Sequence, residues 1–308
     1  MPSIFKKAFS IAVFAKVALV FSLVAAVSVA ASNKMVIAVS YAPYAYIVDA
    51  IGGDKVEVVT LLPSGTDLDK YVPKADELKE FSRADVYFTD GSGRDAAWFP
   101  RFKELKKSIR VVDISSGVVW RNFGAPAFDP NIWTSPKQMA KLASSVRVAL
   151  SEIMPEHTDF FVVKLSRILQ RLNRSDEDLK KTVLKLPENL RAVVVPYPRY
   201  GYFAQDYGVK QLPVNISWNA PTAKDVESII ETGRKNGARV VIVTPQFSQE
   251  AIAKIKKELD AKVVVQELLC YNFNENAKAI TAAFNEIAEE RLKKALSDPT
   301  MNPRLKKK

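Results

Sequence analysis

The chain has 308 residues, 45 Lys and Arg against 34 Asp and Glu, a formal charge of +11, one cysteine and one histidine. One cysteine excludes an intramolecular disulfide, and these counts exclude a histidine-rich zinc site or a C-x-x-C motif. The basic surplus reads as a solvated surface, because no basic stripe with interleaved aromatics points to a nucleic-acid partner.

Residues 1–31 read as an export signal. Lys6, Lys7 and Lys16 precede an apolar run at 17–30, and Ser28, Ala30 and Ala31 offer a small-residue cleavage site. A membrane anchor is the competing reading, but the run has barely the length that spans a bilayer. No cysteine lies near the cut, so no lipid anchor is expected, and the mature chain is placed in a periplasm. The length that remains suits two linked domains rather than one core.

Short valine-rich runs follow: Met35–Tyr41, Val56–Leu62, Val86–Thr89 and residues 110–114. They are nearly continuous in apolar character, as buried parallel strands are. Helical patterns lie between them near residues 43–51, 75–83 and 102–108. Such alternation predicts an α/β lobe over 32–156. Ser135-Pro136 starts a further helix, a cap residue followed by a proline in the first turn. Its apolar face is Met139, Leu142, Val146, Ala149 and Ile153.

From 157 to 186 there is no Gly or Pro, and Phe161, Leu165, Ile168, Leu172, Leu179, Val183 and Leu186 recur at three- and four-residue steps. This predicts one amphipathic helix of about 30 residues, roughly 45 Å long, stopped by Pro187. A helix of that length between two α/β halves reads as a rigid link, assigned to 157–187. The second lobe, 188–298, repeats the pattern with strands near 191–197, 208–214, 239–244 and 262–266. Thr222-x-x-Asp225 is a capping box, Gly237 is a stop, and a last helix covers about 274–296. Residues 299–308 form a basic tail.

Positive catalytic motifs are lacking. Gly91, Gly93 and Ala96, with Asp113 ending the next strand, partly match a dinucleotide fingerprint, but on the third strand of the lobe rather than the first. His157 follows Pro155-Glu156 at a helix start and reads as a cap or surface residue. With no nucleophile–base pair to name, an enzyme is not expected. Two loops stand out instead: residues 63–73 after the second strand, and residues 195–202 after the first strand of the second lobe. Both follow C-terminal strand ends, where open α/β sheets bind ligands. If the linking helix turns these edges towards each other, the loops share one cleft.

Six ordered blocks carry a resemblance to a known family: residues 50–73 (AIGGDKVEVVTLLPSGTDLDKYVP), 81–98 (FSRADVYFTDGSGRDAAW), 129–136 (DPNIWTSP), 199–209 (RYGYFAQDYGV), 243–248 (VTPQFS) and 262–269 (KVVVQELL). The chain resembles the metal-binding (zinc, manganese, iron) solute-binding proteins of ABC importers, the ZnuA/TroA/PsaA-like family. The resemblance implies two α/β lobes joined by one long rigid helix, with a ligand cleft between them. It also implies an extracytoplasmic, monomeric component that captures a solute for a membrane permease and its ATPase. The ligand positions depart from the pattern. Three usual histidines fall at Asp69, Asn131 and Tyr197, the usual acid after the third strand of the second lobe falls at Thr244, and the usual aspartate falls at Glu267, with Cys270 in place of a glycine.

Two readings of the cleft stay open. Asp69, Asn131, Tyr197 and Glu267 offer only oxygen, which suits a hard divalent or ferric ion bound as cargo rather than zinc. Alternatively, Lys70 and Arg199 oppose a bare dication, and Tyr71, Tyr197, Tyr200 and Trp218 line a pocket for a metal complex or small organic solute. Cys270 is either a further ligand or a buried thiol. A solute-free scaffold or partner-binding periplasmic protein derived from the family is the remaining alternative.

Overall fold

The computed structural model describes residues 34–66, 71–122, 128–215 and 220–297. The signal and tail readings therefore lie outside the described residues, as do Asp69, Lys70 and Trp218. No described helix is long and apolar enough to cross a membrane.

The first sheet has strands β1 (Met35–Tyr41), β2 (Val56–Leu62), β3 (Val86–Thr89) and β4 (Arg110–Asp113), in the order β2-β1-β3-β4. β3 runs parallel to β1 and to β4, with Ile37 opposite Val86 and Val86 opposite Arg110. The intervening helices are α1 (Ala42–Gly52), α2 (Ala75–Phe81) and α3 (Phe99–Leu105). The third helix starts earlier than its apolar pattern suggested, because Phe99-Pro100 supplies a proline in its first turn.

α4 (Pro136–Ile153) begins where the Ser135 hydroxyl accepts a hydrogen bond from the Gln138 amide. α5 (Thr158–Leu184) is the long helix, 27 residues and so about 40 Å. α5 packs on α1 and α4 of the first half and on the last helix of the second. It is buried on one side only, through Phe161, Ile168, Leu172, Leu179 and Val183, and its charged residues face outward.

The second sheet is β5 (Ala192–Val195), β6 (Lys210–Pro213), β7 (Val240–Val243) and β8 (Lys262–Val265), ordered β6-β5-β7-β8. All its pairs are parallel. The helices here are α6 (Gly201–Tyr207), α7 (Ala223–Lys235), α8 (Gln249–Leu259) and α9 (Phe273–Ser297). The two-residue period of β5 divides its side chains between two cores. Val193 and Val195 face a cluster with Leu179, Phe203, Phe284 and Ile287. Ala192 and Val194 face one with Val226, Ile230 and Ile255.

Both sheets thus have the same strand order without an internal sequence repeat. In each, the first strand lies between the second and third, so the connections leaving it diverge. A crevice opens at the C-terminal end of such a strand. In the first sheet that point is marked by Tyr41 and, after β3, Asp90. In the second it is marked by the 196–200 loop and, after β7, Thr244.

Candidate functional site

On the first sheet's side the crevice is floored by aromatic rings. Tyr41 ends β1 and Tyr44 lies in the first turn of α1, and both pack on Trp133 at centroid distances of 5.1 and 5.6 Å. The Tyr44 hydroxyl donates to Asp90 Oδ2 at 2.9 Å, with the Pro130 carbonyl at 3.2 Å. Asp90 is buried, and burial raises its pKa, partly offset by hydrogen bonds from Ser92 and Tyr44. Burial also pushes the Tyr41 phenol far up, and the nearby Asp90 charge adds to this. The charges of Arg94 and Arg199 act in the other direction.

Gly91, with φ +68°, lets this turn close against the next strand, since a Cβ there would sit 2.8 Å from Asp113 Oδ2. That contact accounts for the glycine and the aspartate of the partial dinucleotide fingerprint. Asp113 in turn accepts from the Ser115 amide at 2.7 Å.

Asn131 is 0 % exposed and its amide is already engaged. Asp129 accepts from the Asn131 backbone N–H at 3.0 Å and from its Nδ2 at 2.7 Å. The Asn131 Oδ1 has no partner among the described residues. Asp129 also takes an ion pair from Arg121 at 2.8 Å. Burial still raises the Asp129 pKa, with Asn131 and Arg121 working against it.

Arg121 reaches across to α6. Its backbone N–H donates to the Tyr202 hydroxyl at 3.1 Å, its Nε to Gln205 at 3.1 Å, and its guanidinium lies 5.6 Å over the Tyr202 ring. Tyr202 donates onward to the Asp129 carbonyl at 3.1 Å. Gly201 makes this approach possible: a Cβ there would lie 1.3 Å from Arg121 Nη1. One turn along, Asp206 accepts from Ser135 Oγ at 2.7 Å, Gln138 Nε2 at 2.8 Å and Lys137 Nζ at 3.1 Å. Much of the 199–209 block is therefore a rivet between the halves. Arg121, Asp129, Tyr202 and Asp206 escaped the sequence reading. Their signal was weak: an acid before proline in DPNIW, and an acid on a short aromatic helix.

The second lobe contributes Tyr197, Arg199 and Tyr200 from the loop after β5. The Arg199 amide closes a tight turn onto the Tyr197 carbonyl at 2.7 Å. Arg199 is 4 % exposed. The Tyr200 hydroxyl donates to Gln266 Oε1 at 3.2 Å, and Gln266 Nε2 donates to the Asn276 carbonyl at 2.7 Å. Thr244 is half-buried at the end of β7, its carbonyl accepting from Phe247 N at 3.0 Å. Glu267 is half-buried in a turn whose carbonyl accepts from Cys270 N at 3.2 Å and Asn276 Nδ2 at 2.8 Å. Burial, then the charges of Glu275 and Glu267, raises the pKa of the half-buried Cys270 thiol. Tyr71 donates to the Leu61 carbonyl at 2.9 Å, which ties it back to its own strand.

Residues Trp133, Thr134, Tyr200 and Gln266 enclose a void of about 10 Å³, near the lower limit for one water. Among the described residues no group of three or more His, Cys, Asp or Glu side chains could hold a metal ion. Beside the carboxylates Asp90, Asp129 and Glu267, the elements gather the cations Arg94, Arg121 and Arg199 and the phenols of Tyr41, Tyr44, Tyr200 and Tyr202.

Comparison with known proteins gives a consistent picture. A family model described as the periplasmic zinc-uptake complex component A, ZnuA, matches residues 37–270. A putative metal-binding protein of Chlamydia muridarum is 25 % identical over 255 residues, covering 81 % of this chain and 90 % of that protein. The metal ABC transporter substrate-binding lipoprotein FimA of Streptococcus parasanguinis is 24 % identical over 265 residues, covering 80 % of this chain and 85 % of that one. A crystal structure of ZnuA superposes with a TM-score of 0.73 at 28 % identity, covering 83 % of this chain and 99 % of that one. FimA is named a lipoprotein, so the expectation of no lipid anchor finds no support in this relative.

Proposed function

The chain belongs to the ZnuA family of periplasmic zinc-uptake components, and from that premise we propose how its own cleft is used. The family role is that of a substrate-binding component of an ABC metal importer, not an enzyme. We take 32–156 and 188–298 as its lobes, 157–187 as the link, and a membrane permease with its ATPase as the partners of a monomer outside the cytoplasmic membrane.

The metal reaches this cleft as an anionic complex rather than as a bare dication. The observation that carries this reading is the buried Arg199 in the loop after β5, at the crevice of the second sheet. A divalent ion about 5 Å from one guanidinium meets roughly 7 kcal/mol of repulsion at an effective dielectric constant of about 20. A carboxylate-bearing chelate reverses the sign of the interaction, because guanidinium forks match carboxylates. Asn131 Oδ1 adds an unpartnered buried acceptor, at a cost of about 1–3 kcal/mol that a hydroxyl or a metal-bound water would relieve.

One observation favours a second reading. The void between Trp133 and Tyr200 is only about 10 Å³, which suits a packed, solute-free interface unless the cleft opens.

Thermal shift with Zn²⁺, Mn²⁺ and Fe³⁺ alone, and with each as its citrate complex, separates the readings. At about 100 times the dissociation constant a bound solute adds about 2.7 kcal/mol, or a shift of roughly 5–10 °C. The proposal expects that shift with a citrate complex, and its loss in Arg199→Gln. A shift with bare metal that disappears in Asp69→Ala or Glu267→Ala would establish the hard-ion site instead. No shift with any probe, and no metal in native mass spectra, would leave the solute-free scaffold.

A further inference from the structure

On the side of α5 that carries its charges, the structure forms a second, larger concavity. A groove of about 680 Å³ lies along the seam between α5 and α9, and Tyr46 of α1 also lines it. That volume falls within the range of ligand pockets. Arg167, Arg171 and Arg174 stand at i, i+4 and i+7 on α5, so they share one face. Lys278 faces them from α9. These four cations share the groove with one carboxylate, Asp178, and among the described residues none of the four makes an ion pair. Some exposed cations elsewhere do pair locally, as Lys181 does with Glu177 and Lys235 with Glu231. Unpaired like charges along one helix face repel each other, so the arrangement carries a cost that an anion would remove.

The groove also presents acceptors. Asn274 is 5 % exposed and its Oδ1 has no hydrogen-bond partner. Asn272 donates through Nδ2 to Glu275 at 3.0 Å, leaving its own Oδ1 buried and unpartnered. Both residues line the same groove. Its occupant therefore needs negative charges for the arginine row and N–H donors for the two amide oxygens.

We propose that the groove between α5 and α9 binds an acidic peptide segment of a partner protein, with carboxylates on Arg167, Arg171, Arg174 and Lys278 and backbone N–H groups on Asn272 and Asn274. An extended peptide supplies both kinds of group, whereas polyphosphate has no N–H donor and a lipid surface does not fill a concave seam. The spacing fits: Arg167 to Arg174 is about 10 Å along the helix, about three residues of extended chain. The surface is separate from the interlobe cleft, so the inference stands whatever the cleft binds.

Fluorescence anisotropy on the full chain tests it, with labelled hexaglutamate as probe. Hexaglutamine, backbone-N-methylated hexaglutamate, inorganic polyphosphate and phosphatidylglycerol vesicles form the comparison arms. We expect micromolar binding of hexaglutamate, weakened about tenfold in R171Q/R174Q as two carboxylate contacts are lost. Binding should also weaken on N-methylation and be absent with hexaglutamine. Both arginines are exposed and glutamine is a comparable helix former, so the variant keeps its fold; K278Q, on the opposite wall, gives an independent loss. Absence of hexaglutamate binding up to about 1 mM, equal affinity in R171Q/R174Q and K278Q, or tighter binding of polyphosphate or vesicles would overturn the proposal.

Discussion

Replacing Asp206 by alanine removes one carboxylate that three side chains of the other half share. Its side chain is 6 % exposed, and its partners are Ser135 Oγ, Gln138 Nε2 and Lys137 Nζ. The Lys137 contact contributes little, because that side chain is 52 % exposed and solvent screens its charge. Ser135 and Gln138 differ: both residues are buried, and each loses a charge-assisted partner. Leaving two buried donors unsatisfied costs about 1–3 kcal/mol each. The expected loss is therefore about 3–5 kcal/mol, or a fall in Tm of roughly 6–15 °C for a chain this size. Urea titration at neutral pH measures it. A double-mutant cycle then divides it: Asp206→Ala with Gln138→Ala should couple by about 1 kcal/mol or more, and with Lys137→Ala by less. A loss below about 1 kcal/mol, or stronger coupling to Lys137 than to Gln138, would refute the view of Asp206 as a buried rivet.

Gly201→Ala should destabilise by at least 2 kcal/mol, because its Cβ takes the place of Arg121 and breaks the Arg121–Asp129 pair; in Arg121→Ala the same substitution should cost far less, which a two-by-two set of denaturation curves checks. Thr222→Ala should cost about 1 kcal/mol, since the Thr222 hydroxyl accepts from Asp225 N at 3.2 Å and closes the cap of α7; melting temperature reads this directly. Asp90 has a folded-state pKa above 3.8, so the folded state binds the proton more tightly than the unfolded one. Its contribution is therefore most favourable below 3.8 and is lost as pH rises through the raised value. Asp90→Asn should flatten that part of the stability–pH curve, and an unchanged slope would show that the burial of Asp90 does not control it.

The elements were legible because their signals are local. Valine runs, the Ser135 and Thr222 caps and the Gly-free stretch before Pro187 each act over a few residues, and backbone sterics and burial period suffice to read them. The ordered blocks added the family and with it the two-lobed architecture. The cleft was legible only as a place. Asn131 was assigned as a ligand from its position; the fold commits its Nδ2 to Asp129, a residue two positions away that reads on paper as a turn former, and leaves its Oδ1 without a partner among the described residues.

By itself, then, the sequence determined the helices, the strands and a chain with a single histidine, since composition is independent of geometry. Tertiary structure alone decided where charge ends up. Arg199 is two residues from Tyr197 in the chain, but only the fold decides that it is buried and that its charge works against the burial that raises the Tyr41 phenol. Arg167, Arg171 and Arg174 looked like an ordinary solvated helix face until α9 supplied the opposite wall with Lys278 and two unpartnered amides. The physical reason is common to both. Electrostatic and hydrogen-bond energies depend on distance and burial between groups remote in sequence, and no local pattern encodes either quantity.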